Sequence, residues 1–186
     1  AWAWDMLRSP PVRPENFIHI ARDAPGGIMG FINAQFDRTV TWKDAAWMID
    51  EWGGPFAIKG IAAPADARRA IEIGASAVWI SNHGGRQLDR APATIDLLEP
   101  IVQAVGGDAE VVFDGGIRRG GDIVTALALG ATSCAIGRAY LWGLAAAGET
   151  GVRRALTILE SELVRTMQLV GAPQLSALRR DHVLSP

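Results

Sequence analysis

Residues 81–89 read Ser-Asn-His-Gly-Gly-Arg-Gln-Leu-Asp and follow the apolar run Ala77-Val78-Trp79-Ile80. That order delivers a histidine and an arginine into one loop at the end of a short strand, with glycines between them that let the backbone turn sharply. An imidazole exchanges protons near neutral pH. A guanidinium grips a carboxylate through two parallel hydrogen bonds. His83 beside Arg86 is therefore a base next to a carboxylate clamp, the equipment for chemistry on a small organic acid. Alone, the same residues would also make a tight turn with a capping histidine and a surface arginine. The rest of the chain has to decide.

Two more loops carry chemistry. Asp114-Gly115-Gly116-Ile117-Arg118 and Ile136-Gly137-Arg138 each set bare backbone amides beside an arginine. Amides together with a guanidinium form a phosphate cradle. Neither loop is a GxGxxG dinucleotide fingerprint or a Walker loop. The competing reading pairs Arg118 and Arg138 with surface acids.

The elements that position these loops alternate regularly. Thr41 and Asp44 are placed to cap a helix running to about Trp52, which Gly53-Gly54-Pro55 ends. Phe56–Gly60 reads as a buried strand, and Pro64 opens a helix that stops at Gly74. Strand 77–81 leads into the His83 loop. A helix from about Ala93 to Val105 follows, in which Pro100 is expected to kink or shift the axis. Glu110–Asp114 is the third strand, Asp122 starts a helix ended by Gly130, and Ser133–Gly137 is the fourth strand. A long helix is expected near Gly151–Val170, with Ile158, Leu159, Leu163 and Met167 at helical spacing.

Apolar strands separated by helices imply a parallel sheet. Lys59, Ser81-Asn82-His83, Asp114-Gly115-Gly116 and Gly137-Arg138 all fall at C-terminal strand ends. A βα barrel collects its active site there, with phosphate held after its last strands. An open sheet would gather its polar groups at one crossover instead. A full barrel needs eight strands and about 250 residues, and four strands cannot close. The fold expected is α/β: the C-terminal half of a (β/α)8 TIM barrel, parallel strands five to eight, completed by an N-terminal half of about the same size.

Composition bounds the partners. The chain has 186 residues, 49% hydrophobic and 20% charged, enough to bury a core. A net charge of −2 without a basic run gives no footing for nucleic acid. Cys134, the only cysteine, excludes an intrachain disulfide and fits a small core residue in a reducing compartment. No apolar segment is long enough to span a bilayer, and no signal peptide is visible. No metal-ligand spacing stands out.

Residues 37–186 resemble the C-terminal half of the FMN-dependent α-hydroxy acid oxidases and dehydrogenases, the family of glycolate oxidase, L-lactate dehydrogenase and mandelate dehydrogenase. The resemblance rests on Ile58-Lys59-Gly60, Ser81 to Gln87, Asp114 to Gly120, Ala126 to Ala131 and Ile136-Gly137-Arg138, in matching order and spacing. It implies FMN as cofactor and a small L-2-hydroxy acid as substrate, oxidised to the 2-keto acid. His83 resembles the active-site base and Arg86 the residue that binds the substrate carboxylate. Lys59 resembles the lysine near flavin N1 and O2. Ser81 looks like a flavin neighbour and Asp114 a ribityl contact. Gly115, Gly116, Arg118, Gly137 and Arg138 resemble the phosphate site. Oxygen, a quinone or a cytochrome would accept the electrons, and a homotetramer is implied.

The family's first half brings further flavin contacts, two substrate-binding tyrosines and the carboxylate that orients the histidine. Tyr140 is the only tyrosine here and is no substitute. The chain is therefore expected to be inactive alone, a piece of a nicked or interrupted protein rather than a natural half-barrel. Residues 1–36 stand where relatives carry a mobile or membrane-proximal excursion, and Trp2, Trp4, Met6 and Leu7 with Arg8 could lie in a membrane interface or cover the barrel. The location expected is cytoplasmic, with a peripheral place on the inner face of the membrane as an extension of that reading. His19 and His182 are expected off the strand ends. Two other classes stay open: another FMN barrel, such as an isomerase or a nucleotide dehydrogenase, needs only the phosphate loops, and a non-catalytic half-barrel needs only a partner.

Overall fold

The computed structural model describes residues 2–10, 15–18 and 24–183, which divide into two units at Thr41 and Trp42. The first holds helices α1 (Trp2–Arg8), α2 (Glu15–Ile18) and α3 (Gly27–Ala34). Arg8 lies over the Trp4 ring at 4.8 Å, and Phe17 meets Phe31 at 6.1 Å. Trp4, Met6, Leu7, Met29 and Phe36 are exposed. His19 lies outside the described residues.

The second unit repeats strand and helix. Helix α4 (Trp42–Trp52) leads to β1 (Ala57–Ile61), α5 (Pro64–Glu72), β2 (Ala77–Ile80), α6 (Thr94–Val105), β3 (Glu110–Asp114), α7 (Gly120–Ala128), β4 (Ser133–Ala135) and α8 (Arg138–Leu169). All neighbouring strand pairs are parallel, in the order β1-β2-β3-β4. Sequence order equal to spatial order, with helices returning between parallel strands, is the arrangement of consecutive staves in a (β/α)8 barrel. The sheet stays open, because β1 and β4 each pair on one side only among the described residues.

Side chains alternate across a strand. Val78, Ile80, Val111 and Phe113 face the helices and are almost wholly buried with Leu98, Ile101, Ala67 and Ala70. The opposite face carries the register row Lys59, Trp79, Val112 and Ser133. A bulge keeps both faces in phase. The register slips between Lys59 and Ile61 around Gly60, whose φ of +94 suits glycine, so Lys59 points inward and Ile61 returns to the core.

Three details depart from sequence expectation. Helix α6 runs unbroken through Pro100, because Leu98 and Ile101 on either side of it are fully buried and offset the lost backbone bond. Strand β4 stops at Ala135 rather than Gly137. Helix α8 begins at Arg138 instead of near Gly151, and non-helical angles at Ala147 and Gly148 divide it into two arms. Its first arm escapes detection because Leu141, Trp142 and Leu144 are largely exposed and follow no buried stripe. The arms meet where Gly143 and Gly151 touch backbone to backbone, and a Cβ on either would strike the other.

Candidate functional site

Successive strand ends place their polar residues around one cleft of about 910 Å³. Lys59, His83, Arg86, Asp114, Gly115, Gly116, Arg118, Gly137 and Arg138 all line it. Ser81 does not. It is buried beneath, and its hydroxyl is fully engaged, donating to Asp114 Oδ1 at 2.7 Å and accepting from Lys59 Nζ at 3.2 Å and His83 N at 3.1 Å. With both lone pairs and the proton used, Ser81 links the His83 backbone to the charged pair below.

That pair is Lys59 and Asp114, in direct contact, with side chains 47% and 19% exposed. Asp114 also accepts from the Trp79 indole Nε1 at 3.1 Å, and the Lys59 ammonium lies 4.4 Å from the Trp79 ring centroid. Trp79 read only as an apolar strand residue in sequence. Its position two residues before Ser81 is the signal that it shares the inner face.

The histidine loop is strained. His83 itself adopts φ +55, followed by Gly84 at +67, and Gly85 N closes the turn on Asn82 O at 3.0 Å. A non-glycine residue there costs about 1–2 kcal/mol, and several bonds hold it. Asn82 Oδ1 accepts from Gly84 N at 3.0 Å, and Asn82 Nδ2 donates to Pro92 O at 3.1 Å. From across the cleft Arg138 Nη2 donates to Gly84 O at 3.0 Å. The imidazole of His83 and the guanidinium of Arg86 are exposed.

The glycine end is built from the neighbouring strands. Asp122 at the start of α7 accepts from Arg118 N and Arg119 N at 2.8 and 2.9 Å, and Glu162 of α8 takes Arg119 Nη1 at 2.9 Å and Gly120 N at 3.0 Å. The Gly120 amide and the Arg119 guanidinium hold the Glu162 carboxyl below its usual range. Gly115 packs so close to Thr94 that a Cβ would lie 2.6 Å from Thr94 Oγ1. At Gly116 and Gly137 a Cβ would meet nothing within 4 Å, so backbone faces open cleft with Arg118 and Arg138 beside it. These donors and this bare backbone fit a phosphate, and Lys59 supplies positive charge farther along the same cleft.

Other residues stand apart. Burial pushes the Cys134 thiol up to about 11, and it packs against the core. His182 Nδ1 accepts from Arg179 N at 3.1 Å. Tyr140 sits in the first turn of α8. Among the described residues no group of His, Cys, Asp or Glu could hold a metal, and no helix is long and apolar enough to cross a membrane.

Residues 1–185 match the model of the FMN-dependent dehydrogenases. The chain is 42% identical to pre-mycofactocin synthase of Mycolicibacterium smegmatis, covering 100% of this chain and 47% of that protein. It is 43% identical to L-lactate dehydrogenase of Pseudomonas aeruginosa, covering 99% and 49%. The crystal structure of the monotopic membrane protein (S)-mandelate dehydrogenase superposes with a TM-score of 0.90 at 38% identity, covering 100% of this chain and 49% of that one. The chain thus spans about half the length of the relatives it matches.

Proposed function

The chain belongs to the FMN-dependent dehydrogenase family, and from that premise we propose that the protein it forms part of oxidises a small L-2-hydroxy acid to the 2-keto acid. The observation that carries the proposal is the meeting, in one cleft, of an exposed imidazole and guanidinium with a lysine–aspartate pair and two glycine loops flanked by arginine.

FMN, when bound, supplies the two-electron oxidant. Gly115, Gly116, Gly137, Arg118 and Arg138 would hold its phosphate through backbone amides and guanidinium groups. Arg86 fixes the substrate carboxylate, which orients the carbon to be oxidised. Converting the hydroxy acid to the keto acid removes two electrons and two protons; His83 would take one proton on its imidazole, and the electron pair with the other proton would pass to FMN. The bonded turn fixes the backbone that carries the imidazole ring, so the loop itself has no search among backbone states to make. Lys59 would place positive charge beside the flavin ring, whose reduction adds negative charge, and Asp114 would have a lone pair free for a ribityl hydroxyl.

The N-terminal half of the same barrel is the partner that covers the inner face and completes the cofactor site, so the chain alone is inactive. The acceptor is oxygen, a quinone or a cytochrome, and the assembly is a homotetramer in the cytoplasm. Exposed Trp4, Met6 and Leu7 on α1, together with the likeness to a monotopic membrane protein, favour a peripheral place on the inner face of the membrane. Co-sedimentation of the full-length protein with anionic vesicles tests this, and recovery of all protein in the supernatant would dismiss it.

The test of function is anaerobic mixing of the FMN-loaded full-length protein with glycolate, lactate and mandelate. Similarity extends both to L-lactate dehydrogenase and to (S)-mandelate dehydrogenase, so the panel runs from small to aromatic acids. Bleaching of the flavin band by one of them is expected. A flavin that stays oxidised with all of them would favour a different FMN-dependent reaction.

A further inference from the structure

We propose that Trp79 is a positioning residue for Lys59, one that sets how much positive charge a bound flavin meets. The proposal rests on the FMN reading above. Lys59 and Trp79 are direct partners in the β1–β2 register, and the ammonium sits 4.4 Å from the ring centroid, inside the roughly 6 Å over which a ring face attracts a cation. The same indole donates Nε1–H to Asp114 Oδ2, the oxygen that Lys59 contacts. One side chain therefore binds both members of the ion pair, the cation by its face and the anion by its edge.

Strand propensity alone does not ask for this residue. Valine or isoleucine would suit β2 equally, and the neighbouring inner positions are small: Ala57, Ala77, Val112, Ser133 and Ala135. Trp79 is the one large aromatic among them, and a tryptophan away from water needs a partner for its N–H. Losing the indole would act twice in one direction. The ammonium would lose one of its restraints, and the carboxylate would lose a donor that offsets its negative charge. Both changes make the cleft less hospitable to added negative charge.

The experiment is the reduction potential of FMN bound to the full-length protein, measured by dithionite titration against a reference dye. Trp79→Phe keeps a ring face and loses the N–H. Trp79→Leu loses both. The reduction equilibrium is expected to fall about threefold in the first and about tenfold in the second, within the range a cation–π contact carries. Tenfold corresponds to about 30 mV for a two-electron couple. In a Lys59→Met background the Trp79→Leu shift should shrink, because the tryptophan acts largely through the lysine. Parent potentials in both single variants would overturn the proposal, as would a Trp79→Leu shift that persists in full without Lys59, the mark of simple space filling. The titration uses no hydroxy acid. A protein whose flavin responds to Trp79 yet is reduced by none of the acids would sink the substrate reading and leave this one standing, whereas a protein that binds no FMN would sink both.

Discussion

On the helix side of the sheet, Val78, Ile80, Val111 and Phe113 lose almost all contact with water. On the other side the sheet carries Lys59, Trp79 and Asp114, joined by long-range polar bonds and partly open to solvent. The first face is held by area and shape, which tolerate no gap but need no direction. The second is held by a few directional contacts that meet at one carboxylate. A single strand serves both because its side chains alternate: Ile80 goes into the core, and Trp79 and Ser81 go toward the cleft. Stability and chemistry are thus separated by one residue of sequence and by the thickness of a sheet.

If that division holds, substitutions on the two faces should fail in different ways. The largest effect belongs to the cleft. His83→Ala should leave FMN bound and slow flavin reduction by the hydroxy acid about 10²–10⁴-fold or more, the loss expected from removing a general base. Rapid-mixing absorbance checks this, and a variant reduced at the parent rate would take His83 out of the mechanism. Next comes the core. Ile80→Ala should cost about 2–5 kcal/mol in denaturant unfolding while the folded, FMN-loaded fraction keeps nearly the parent rate. A collapse in rate comparable to that of His83→Ala would show that the faces are not separable at this strand.

Arg138 tests the boundary more finely, since it lines the glycine end yet donates to Gly84 of the histidine loop. Arg138→Ala should weaken FMN retention by about 1.5–3 kcal/mol, the worth of a charge-assisted bond, and slow the loaded fraction far less. Flavin content after dialysis is the measurement, and full retention in Arg138 and Arg118 variants alike would move the phosphate elsewhere. The smallest effect concerns Glu162, which ties the glycine loop to α8 from outside the cleft. Its carboxyl is lowered from 4.5 in the fold, so its stabilisation is present above that value and is lost as pH falls through the folded value. Glu162→Gln should therefore unfold more readily than the parent near neutral pH and match it in strong acid. A difference that stays constant over that range would assign the effect to shape rather than charge.

The alternation of elements was legible because each strand and helix announces itself within a few residues. Pro64 and Gly74 bracket α5, and Leu98, Ile101 and Val105 share one buried side of α6. The candidate residues were legible through their place at strand ends. What escaped were the bonds between those ends. Trp79 to Asp114 spans 35 positions and Arg138 to Gly84 spans 54, and no local periodicity records a pairing that only the parallel crossover creates. Ser81 is another such case. The resemblance makes it a flavin neighbour, and nothing at its strand end tells that its hydroxyl bonds Lys59, His83 and Asp114. Helix α8 shows a second kind, since its first arm exposes the apolar residues by which a helix is recognised.

The left-handed backbone at His83 has a wider consequence. Glycine would occupy that position without penalty, and asparagine with little, so conformational preference and proton transfer make opposite demands on one residue. A search for more stable sequences, guided by stability alone, would favour glycine there and so remove the base proposed above. On the proposed reading, histidine at that position answers to proton transfer rather than to the fold it sits in.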